Sequence, residues 1–223
     1  MKLLFLTTFL LSSAFLIGQE NKVIVGLTGG YDYYSIDFKP TTGFNHEFEK
    51  TLGYNAGLTI QYNNNEKVFL KSGLGYAKKG YEVTYKFNFI TIDPIINDPV
   101  FPKTTAVSFY YMNVPLMLGY YIKNNGKIRI SIDGGINNEF LLTNTESTVF
   151  GGNTTRNTEL LSQNFPSYLS SIQFNLGLEY NLGKKFVFSL HPYFKYNLNT
   201  IKNESIELNN SMYGIALEIN YKL

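Results

Sequence analysis

Residues 211–223 constrain the fold most, because apolar side chains alternate strictly along them with small, polar or charged ones. Successive side chains of a β-strand point to opposite faces, so a period of two predicts a strand with one apolar face. Such a strand is typical of a membrane barrel, with lipid outside and a polar lumen inside. The apolar positions are Tyr213, Ile215, Leu217, Ile219, Tyr221 and Leu223, and the others are Gly214, Ala216, Glu218, Asn220 and Lys222.

The same pattern recurs along the chain and predicts eight strands. Seven of them cover residues 23–34, 52–62, 68–89, 128–139, 168–180, 186–197 and 211–223, and the fourth in chain order follows residue 105 and ends in residues 114–122. Connections of about 11 to 25 residues follow the odd strands and connections of about four or five follow the even ones, as in barrels with short periplasmic turns and long extracellular loops. The sequence therefore predicts an all-β fold, an eight-stranded antiparallel up-and-down transmembrane β-barrel whose N-terminus is periplasmic.

Two kinds of irregularity interrupt this pattern. In the third strand the apolar parity flips around Lys78, Lys79 and Gly80, which predicts a β-bulge. Polar or proline-containing segments predict loops at residues 35–51, 90–105, 143–167 and 200–210.

The composition fits a membrane barrel better than a soluble domain. Aromatic residues make up 16% of the 223 residues and charged residues only 16%, against about 25% charged in globular proteins. The net charge of +2, without a basic run, argues against nucleic acid as a partner.

The first 18 residues predict a secretory signal peptide, which would leave residues 19–223 as the mature barrel. Lys2 precedes an uncharged run over residues 3–17, which is shorter than the roughly 20 residues of a membrane helix. An uncleaved anchor is the alternative. Without cysteine, neither a lipoprotein anchor nor a disulfide is available.

Aromatic residues at the strand ends predict two girdles. Tyr168 and Tyr180 bracket one strand, and a 12-residue spacing at a tilt of about 40° corresponds to roughly 30 Å of height, close to a bilayer. The turn-side girdle would contain Tyr62, Tyr120, Tyr180, Phe186 and Tyr221, and the loop-side girdle Tyr33, Tyr54, Tyr168, Tyr196 and Tyr213.

The polar faces of the strands predict a charged lumen. An eight-stranded barrel is only just wide enough for side chains to fill it, so we expect opposite charges to pair. The hypothesis is a lumen charge network that acts as a structural plug, and the alternative is a gated ion path. Its predicted members are Asp32, Lys71, Arg129, Asp133, Glu139, Glu179, His191, Lys195 and Glu218.

Catalysis finds little support in the sequence. His46 lies in a predicted loop, where only Asp93 and Asp98 of the following loop offer carboxylates, and His191 lies two residues from Ser189. These residues do not assemble a serine, histidine and acid set. We find no metal-ligand cluster and no cofactor motif, and predict that the protein is not an enzyme and binds no cofactor.

The loop after the third strand is unusually apolar for a segment predicted to face solvent. Exposed apolar patches tend to mark contact surfaces, so we expect this loop to contact a protein partner or the lipopolysaccharide layer. Folding back onto neighbouring loops is the alternative. The predicted partner-contact loop consists of Ile92, Ile95, Ile96, Val100 and Phe101.

A motif in the fourth strand resembles a known family. Tyr111, Val114, Pro115, Leu116 and Tyr120 match the Tyr-x-x-Ile/Val-Pro-Leu-x-x-x-Tyr stretch of PorT-like outer-membrane β-barrel proteins of the Bacteroidota. The resemblance implies an outer-membrane barrel of eight or so strands, usually without an assigned activity. The final residue, Leu223, departs from the terminal aromatic residue that is common in such barrels.

The sequence thus predicts a monomeric barrel in the outer membrane of a Gram-negative bacterium, surrounded by lipid. The favoured function is a non-enzymatic structural or interaction role, in which the extracellular loops contact an envelope protein. A narrow channel gated by the charged lumen is the alternative, and a lipid-modifying enzyme is a less favoured one.

Overall fold

The computed structural model describes residues 22–38, 45–50, 53–86, 104–150, 153–159, 167–199, 202–203 and 206–223. Eleven strands cover most of these residues. They are β1 (Val23–Phe38), β2 (Asn45–Lys50), β3 (Gly53–Asn63), β4 (Val68–Lys86), β5 (Thr104–Asn125), β6 (Ile128–Phe150), β7 (Asn153–Glu159), β8 (Tyr168–Leu182), β9 (Phe186–Asn197), β10 (Lys202–Asn203) and β11 (Ile206–Lys222). Within the described ranges, no helix is long and apolar enough to cross a membrane.

Eight of these strands close into one antiparallel barrel. Its order is β1, β3, β4, β5, β6, β8, β9 and β11, and each strand pairs with the next one. Pairing of β1 with β11, from Ile24 opposite Lys222 to Phe38 opposite Ile206, closes the ring. The predicted all-β, eight-stranded antiparallel barrel is confirmed.

The two faces of the wall differ as the alternation predicts. Outward positions carry exposed apolar side chains, such as Leu217 (65% exposed), Leu118 (62%) and Leu58 (60%). Inward positions carry buried polar ones, such as Asp32 and Ser131, both 0% exposed. The polarity is the reverse of that in a soluble protein, as lipid outside the wall requires.

Aromatic side chains ring the wall at two heights. On the turn side Phe186 and Tyr221 pack edge to face, with ring centroids 5.3 Å apart. On the loop side Phe194 and Tyr213 lie 5.2 Å apart, and Tyr76 stacks on Tyr110 at 5.8 Å. These rings mark the band in which the wall suits lipid.

The expected bulge around Lys78, Lys79 and Gly80 is wrong. The register of β4 against β5 is unbroken from Gly75 opposite Asn113 to Thr84 opposite Thr104. Tyr81 is 4% exposed and lies on the inner face together with Lys79. Side chains of β4 alternate between the two faces without interruption. The polarity of the faces reverses instead: beyond the loop-side girdle the outer face is polar and the inner face is apolar.

Register shifts occur elsewhere. The β5–β6 ladder shifts between Tyr110 and Tyr111, where Tyr110 faces Thr143 and Tyr111 faces Leu141, so that β6 carries the extra residue. A second shift lies between Tyr121 and Lys123, next to the turn into β6. The first shift lies at the loop-side girdle, where the extra residue bends β6 and changes the direction of its upper part.

Strands extend into all four segments predicted as loops, including residues 90–105, where β5 begins at Thr104. β1 continues to Phe38, β6 continues to Phe150, and β2, β7, β10 and the start of β11 lie in the predicted loops. Strands β2 and β7 pair with the upper parts of β4 and β6, which makes a five-stranded sheet in the order β2, β4, β5, β6 and β7. We call this sheet the loop-side extension. From the Tyr76 and Tyr110 level to the Thr84 and Thr104 pair it rises by about 20 Å.

Two sequence predictions lie outside the described residues. They are the signal peptide, residues 1–18, and the partner-contact loop, which lies within residues 87–103. His46, expected in a loop, is in β2 opposite Tyr85.

Candidate functional site in the barrel lumen

The barrel interior gathers all nine side chains of the predicted lumen charge network. Each is buried, with an exposed fraction between 0% for Asp32 and 8% for Lys71. Many of their contacts join strands that are not neighbours in the sheet, so they tie separate parts of the wall together inside the lumen. The contacts fall into layers along the barrel axis.

The loop-side layer contains two ion pairs. Lys195 Nζ on β9 lies 3.6 Å from Asp32 Oδ1 on β1, and the Tyr193 hydroxyl donates a hydrogen bond to the same carboxylate. Asn55 Nδ2 on β3 donates to the Tyr193 hydroxyl at 2.9 Å and so ties a third strand to this cluster.

The second pair of this layer joins Lys79 on β4 to Glu139 on β6 by a hydrogen bond. Asn137 Nδ2 donates to the other Glu139 oxygen at 3.1 Å. Each lysine of the layer interacts electrostatically with both carboxylates, Asp32 and Glu139, so the two pairs act as one cluster. The sequence prediction missed Lys79. Lys71 and Lys79 lie on the same face of β4, but the expected bulge would have turned Lys79 to the opposite face.

The middle layer is centred on Glu218. Lys71 Nζ on β4 donates to Glu218 Oε1 at 2.5 Å, across a lumen that separates β4 from β11. His191 Nε2 lies 3.5 Å from Glu218 Oε2, and Asn220 Nδ2 donates to the same oxygen at 3.3 Å.

Asp133 lies beside this layer and interacts electrostatically with Lys71 and Glu218. One of its oxygens accepts a hydrogen bond from Asn175, whose own oxygen accepts from Gln173 Nε2 at 2.7 Å. The other oxygen, Oδ2, is buried without a hydrogen-bond partner in the described part of the chain, as are both ring nitrogens of His191.

The turn-side layer is built around Arg129 and Glu179, which face each other on β6 and β8. Arg129 Nη2 lies 2.5 Å from Glu179 Oε2, and the guanidinium covers the Tyr121 ring at 4.7 Å. The Tyr121 hydroxyl accepts a hydrogen bond from Gln61 Nε2 at 2.8 Å, which links β3 to β5 over the inner face of β4.

Aromatic side chains close the lumen above the charged layers. Phe109 and Tyr111 are both 0% exposed, and the Tyr81 ring lies 6.1 Å from Phe109. Lys79 Nζ lies 5.4 Å from the Tyr111 ring centroid, so the aromatic cluster rests directly on the loop-side ion pairs. This apolar cap was not predicted, although Val107, Phe109 and Tyr111 keep a strict period of two along β5.

The layers leave little free space between them. A cavity of about 80 Å³ lies between the middle and loop-side layers, lined by Lys71, His191 and Lys195 among others, and has room for a few water molecules. Four buried cations face five buried carboxylates within the described residues. This near balance allows charges in a narrow lumen to remain paired.

The interior offers no familiar catalytic or metal-binding arrangement within the described residues. Ser189 Oγ accepts a hydrogen bond from Asn220 Nδ2 at 3.1 Å, whereas neither nitrogen of His191 has a hydrogen-bond partner there. No group of three or more histidine, cysteine, aspartate or glutamate side chains in the described ranges has a geometry that could hold a metal ion.

Comparison with solved structures returns outer-membrane barrels. The outer membrane protein OprG from Pseudomonas aeruginosa is 14% identical, with 92% of this chain and 98% of that chain covered and a TM-score of 0.52. Neisserial surface protein A is 11% identical over 90% and 97% of the two chains, with a TM-score of 0.46. The N-terminal barrel domain of Pseudomonas aeruginosa OprF is 12% identical over 90% and 99%, with a TM-score of 0.41. The likeness to OprG supports the fold alone.

Sequence comparison identifies the family. No curated protein is significantly similar to this chain. The family model of the outer membrane protein beta-barrel domain, however, matches residues 17–203, most of the chain. The chain therefore belongs to the outer membrane protein beta-barrel domain family, and its place is the bacterial outer membrane.

Proposed function

We propose that this protein is a sealed outer-membrane barrel that presents a contact surface on its loop side and catalyses no reaction. The observation that carries the proposal is the filled lumen, in which charged layers bridge the walls beneath an aromatic cap. A barrel that passes no solute and assembles no catalytic set offers its surfaces to other components of the envelope.

The seal rests on contacts between strands that are not neighbours. Lys71 and Glu218 join strands three places apart in the barrel, and Lys79–Glu139 and Lys195–Asp32 each join strands two places apart. Removing one partner would leave a buried charge uncompensated, at a cost of about 3–5 kcal/mol. Opening a path through three such pairs at once is therefore strongly unfavourable.

The loop-side extension provides the surface. Its outer face carries polar residues such as Glu82 and Ser108, which suits water, and its inner face is packed with Tyr81 and Phe109. Because β4 ends at Lys86 and β5 begins at Thr104, the predicted partner-contact loop connects the ends of two strands of this sheet. The apolar residues of that loop would thus be presented beyond the lipid band.

We further infer that the protein is PorT-like, on the strength of the motif in β5. Its residues have distinct places in the structure: Tyr111 is buried in the cap, Leu116 and Tyr120 face outward, and Pro115 lies in the wall. The Pro115 carbonyl accepts a hydrogen bond from Ser72 Oγ at 2.8 Å, where proline cannot donate to the ladder. Cleavage after the signal peptide and a monomeric state belong to the same proposal.

Cross-linking in the native outer membrane tests the contact surface. A tagged chain with Ile92, Ile95 and Ile96 all changed to serine is expected to lose a partner that the wild type captures reproducibly. The matched control changes Asn97 and Asp98 of the same loop to serine and should retain that partner. Equal capture by all three proteins would contradict the proposed contact surface.

A narrow channel is the second candidate. The observation that favours it is a series of ionisable groups along the axis, from Arg129 and Glu179 through His191 and Glu218 to Asp32 and Lys195. Single-channel recordings in planar bilayers separate the two functions. The sealed barrel predicts no discrete openings, whereas openings whose ion selectivity changes in Glu218→Gln would establish the channel.

A further inference from the structure

We infer that the turn-side mouth of the barrel is a binding site for a polyvalent oxyanion that carries carboxylate or phosphate groups. A basin of about 700 Å³ opens there, between the turns that join β3 to β4, β5 to β6 and β8 to β9. Short turns lie on the periplasmic side of such barrels, so the ligand would come from the periplasm. We call this cavity the turn-side basin.

Positive charge dominates the lining of the basin. Lys22, Arg129, Lys184 and Lys222 line it, and Glu66 is the one carboxylate among its lining residues in the described part of the chain. A concave site with charges of one sign and low-dielectric walls concentrates counter-ions. Glu179 compensates Arg129, and Glu66 offsets one of the three lysines, so the basin keeps a net charge of about +2, which favours a ligand with more than one negative charge.

Arg129 forms the floor of the basin and has unused donors. Its side chain is 8% exposed, and its pairing with Glu179 involves Nη2 at 2.5 Å. Neither Nε nor Nη2 makes a hydrogen bond of good geometry to any described residue. The ion pair therefore compensates the charge of the guanidinium but leaves some of its N–H groups without an acceptor. An additional anion would supply that acceptor.

Lys222 is oriented toward this site by a chain of hydrogen bonds. Lys222 Nζ donates to Asn181 Oδ1 at 2.7 Å, and Asn181 Nδ2 donates to the Gly126 carbonyl. Gly126 and Gly183 both have a φ near +70°, which glycine adopts without strain, so the turns around the basin are tight. Arg129 and Lys222 are also close enough to repel each other electrostatically. A bound oxyanion would remove that repulsion.

The size of the basin selects the class of ligand. A cavity of this volume is in the range that accommodates small organic molecules, and is far larger than a chloride ion needs. Asn63, Asn65 and Asn124 line it as well and offer hydrogen bonds to uncharged groups of the same ligand. The inference concerns the periplasmic mouth and is independent of the proposed loop-side contact surface.

Calorimetric titration of the folded full chain in lipid nanodiscs, where both faces are accessible, tests the inference. The probes are pyrophosphate and citrate, with sulfate as a smaller oxyanion. We expect at least one of the two larger probes to bind, with an affinity that falls as salt is raised. Their relative affinities then tell whether the site prefers phosphate or carboxylate groups.

A matched pair of double variants locates the binding. Lys22→Gln with Lys222→Gln removes two cations of the basin and should weaken binding by about tenfold or more. Lys123→Gln with Lys127→Gln removes two cations that also lie at the turn side but do not line the basin, and should change the affinity by less than about twofold. Both pairs are at the ends of strands, and far-UV circular dichroism verifies that each variant is folded.

Three results would overturn the inference. The first is absence of binding by both pyrophosphate and citrate to the folded wild type. The second is an equal loss of affinity in the two double variants. The third is equal affinity for sulfate and the larger probes, which would mean an adventitious ion only.

Discussion

The lipid band and the loop-side extension are built on the same strands with opposite faces. In the lipid band of β5, Leu116 and Leu118 face outward, and in the extension Ala106 and Ser108 occupy the equivalent outward positions. Inside, Lys79 and Glu139 give way to Tyr81 and Phe109 within a few residues. The continuous β4–β5 ladder thus passes from the polar interior of the lipid band to the hydrophobic interior of the extension.

This difference teaches that solvent, and not strand geometry, decides which face is apolar. In the band, lipid makes the outside apolar, and the enclosed polar groups must satisfy one another. In the extension, water returns to the outside, and the hydrophobic effect again drives apolar side chains inward. The girdle at Tyr76 and Tyr110 lies where these two regimes meet.

The largest expected effect comes from breaking a pair inside the band. Glu139→Leu leaves Lys79 buried without its main partner and should reduce the free energy of unfolding by about 3–5 kcal/mol. Urea unfolding in phospholipid vesicles, followed by far-UV circular dichroism, measures this change.

The double variant Lys79→Met, Glu139→Leu is the control for that experiment. It removes both charges and should recover most of the stability lost in the single variant. A double variant no more stable than Glu139→Leu would show that packing at this position, and not charge compensation, sets the cost.

The outer face offers the next test, on a single strand. Leu116→Arg places a charge near the middle of the lipid band and should cost about 2–4 kcal/mol, whereas Ser108→Arg in the extension should cost less than about 1 kcal/mol. The same vesicle unfolding assay compares the two variants. Similar costs would mean that the lipid band includes Ser108 and that the two regimes are not separated at Tyr110.

Space on the two faces of the band differs as well. A Cβ at Gly119 would collide with the buried Phe69 ring, so Gly119→Ala should destabilise the barrel by about 1–3 kcal/mol. A Cβ at Gly29 would find its nearest neighbour, the Asn55 carbonyl oxygen, at 3.9 Å, and Gly29→Ala should stay within about 0.5 kcal/mol of the wild type. Equal costs at the two sites would contradict the tight inner packing.

The smallest effect concerns the aromatic cap. Phe109→Leu leaves the packing of a fully buried ring incomplete and should cost about 1 kcal/mol. Phe174→Leu, at an outward position that is 59% exposed, should cost less than about 0.5 kcal/mol, because lipid fills the space. Thermal unfolding by electrophoretic mobility ranks the two, and a reversed order would remove the distinction between cap and lipid face.

The lipid band could be predicted from the sequence because lipid requires an apolar residue at every second position of each strand. Apolar residues at every second position located all eight strands, and the alternate positions located His191 and eight of the nine buried charged side chains, all but Lys79. Tyrosines at the strand ends marked the girdles for the same reason.

The extension could not be read in this way, because a strand in water has no apolar outer face. The upper part of β6 and β7 are rich in threonine and asparagine, a composition that fits a polar loop equally well, and pairing between strands decided the outcome. The one sign of the extension in the sequence was the apparent parity flip near Lys79. It arises because the outer face passes from lipid into water, and a β-bulge would produce the same sequence pattern. The pairing of charges across the lumen depends on strand register and curvature, which the sequence pattern does not specify.

Spin labels along β5 test the boundary between the two regions most directly. The chain has no cysteine, so single cysteines can be placed from Thr104 to Ile122 in the otherwise native sequence. For the barrel in liposomes, we predict that labels at Leu116, Leu118 and Tyr120 are accessible to oxygen, and that labels at Ala106 and Ser108 are accessible to a polar nickel complex instead. Labels at the odd positions should be shielded from both. Oxygen accessibility that continues through Ser108 to Ala106, or a change of parity along the strand, would contradict a single ladder that leaves the lipid at Tyr110.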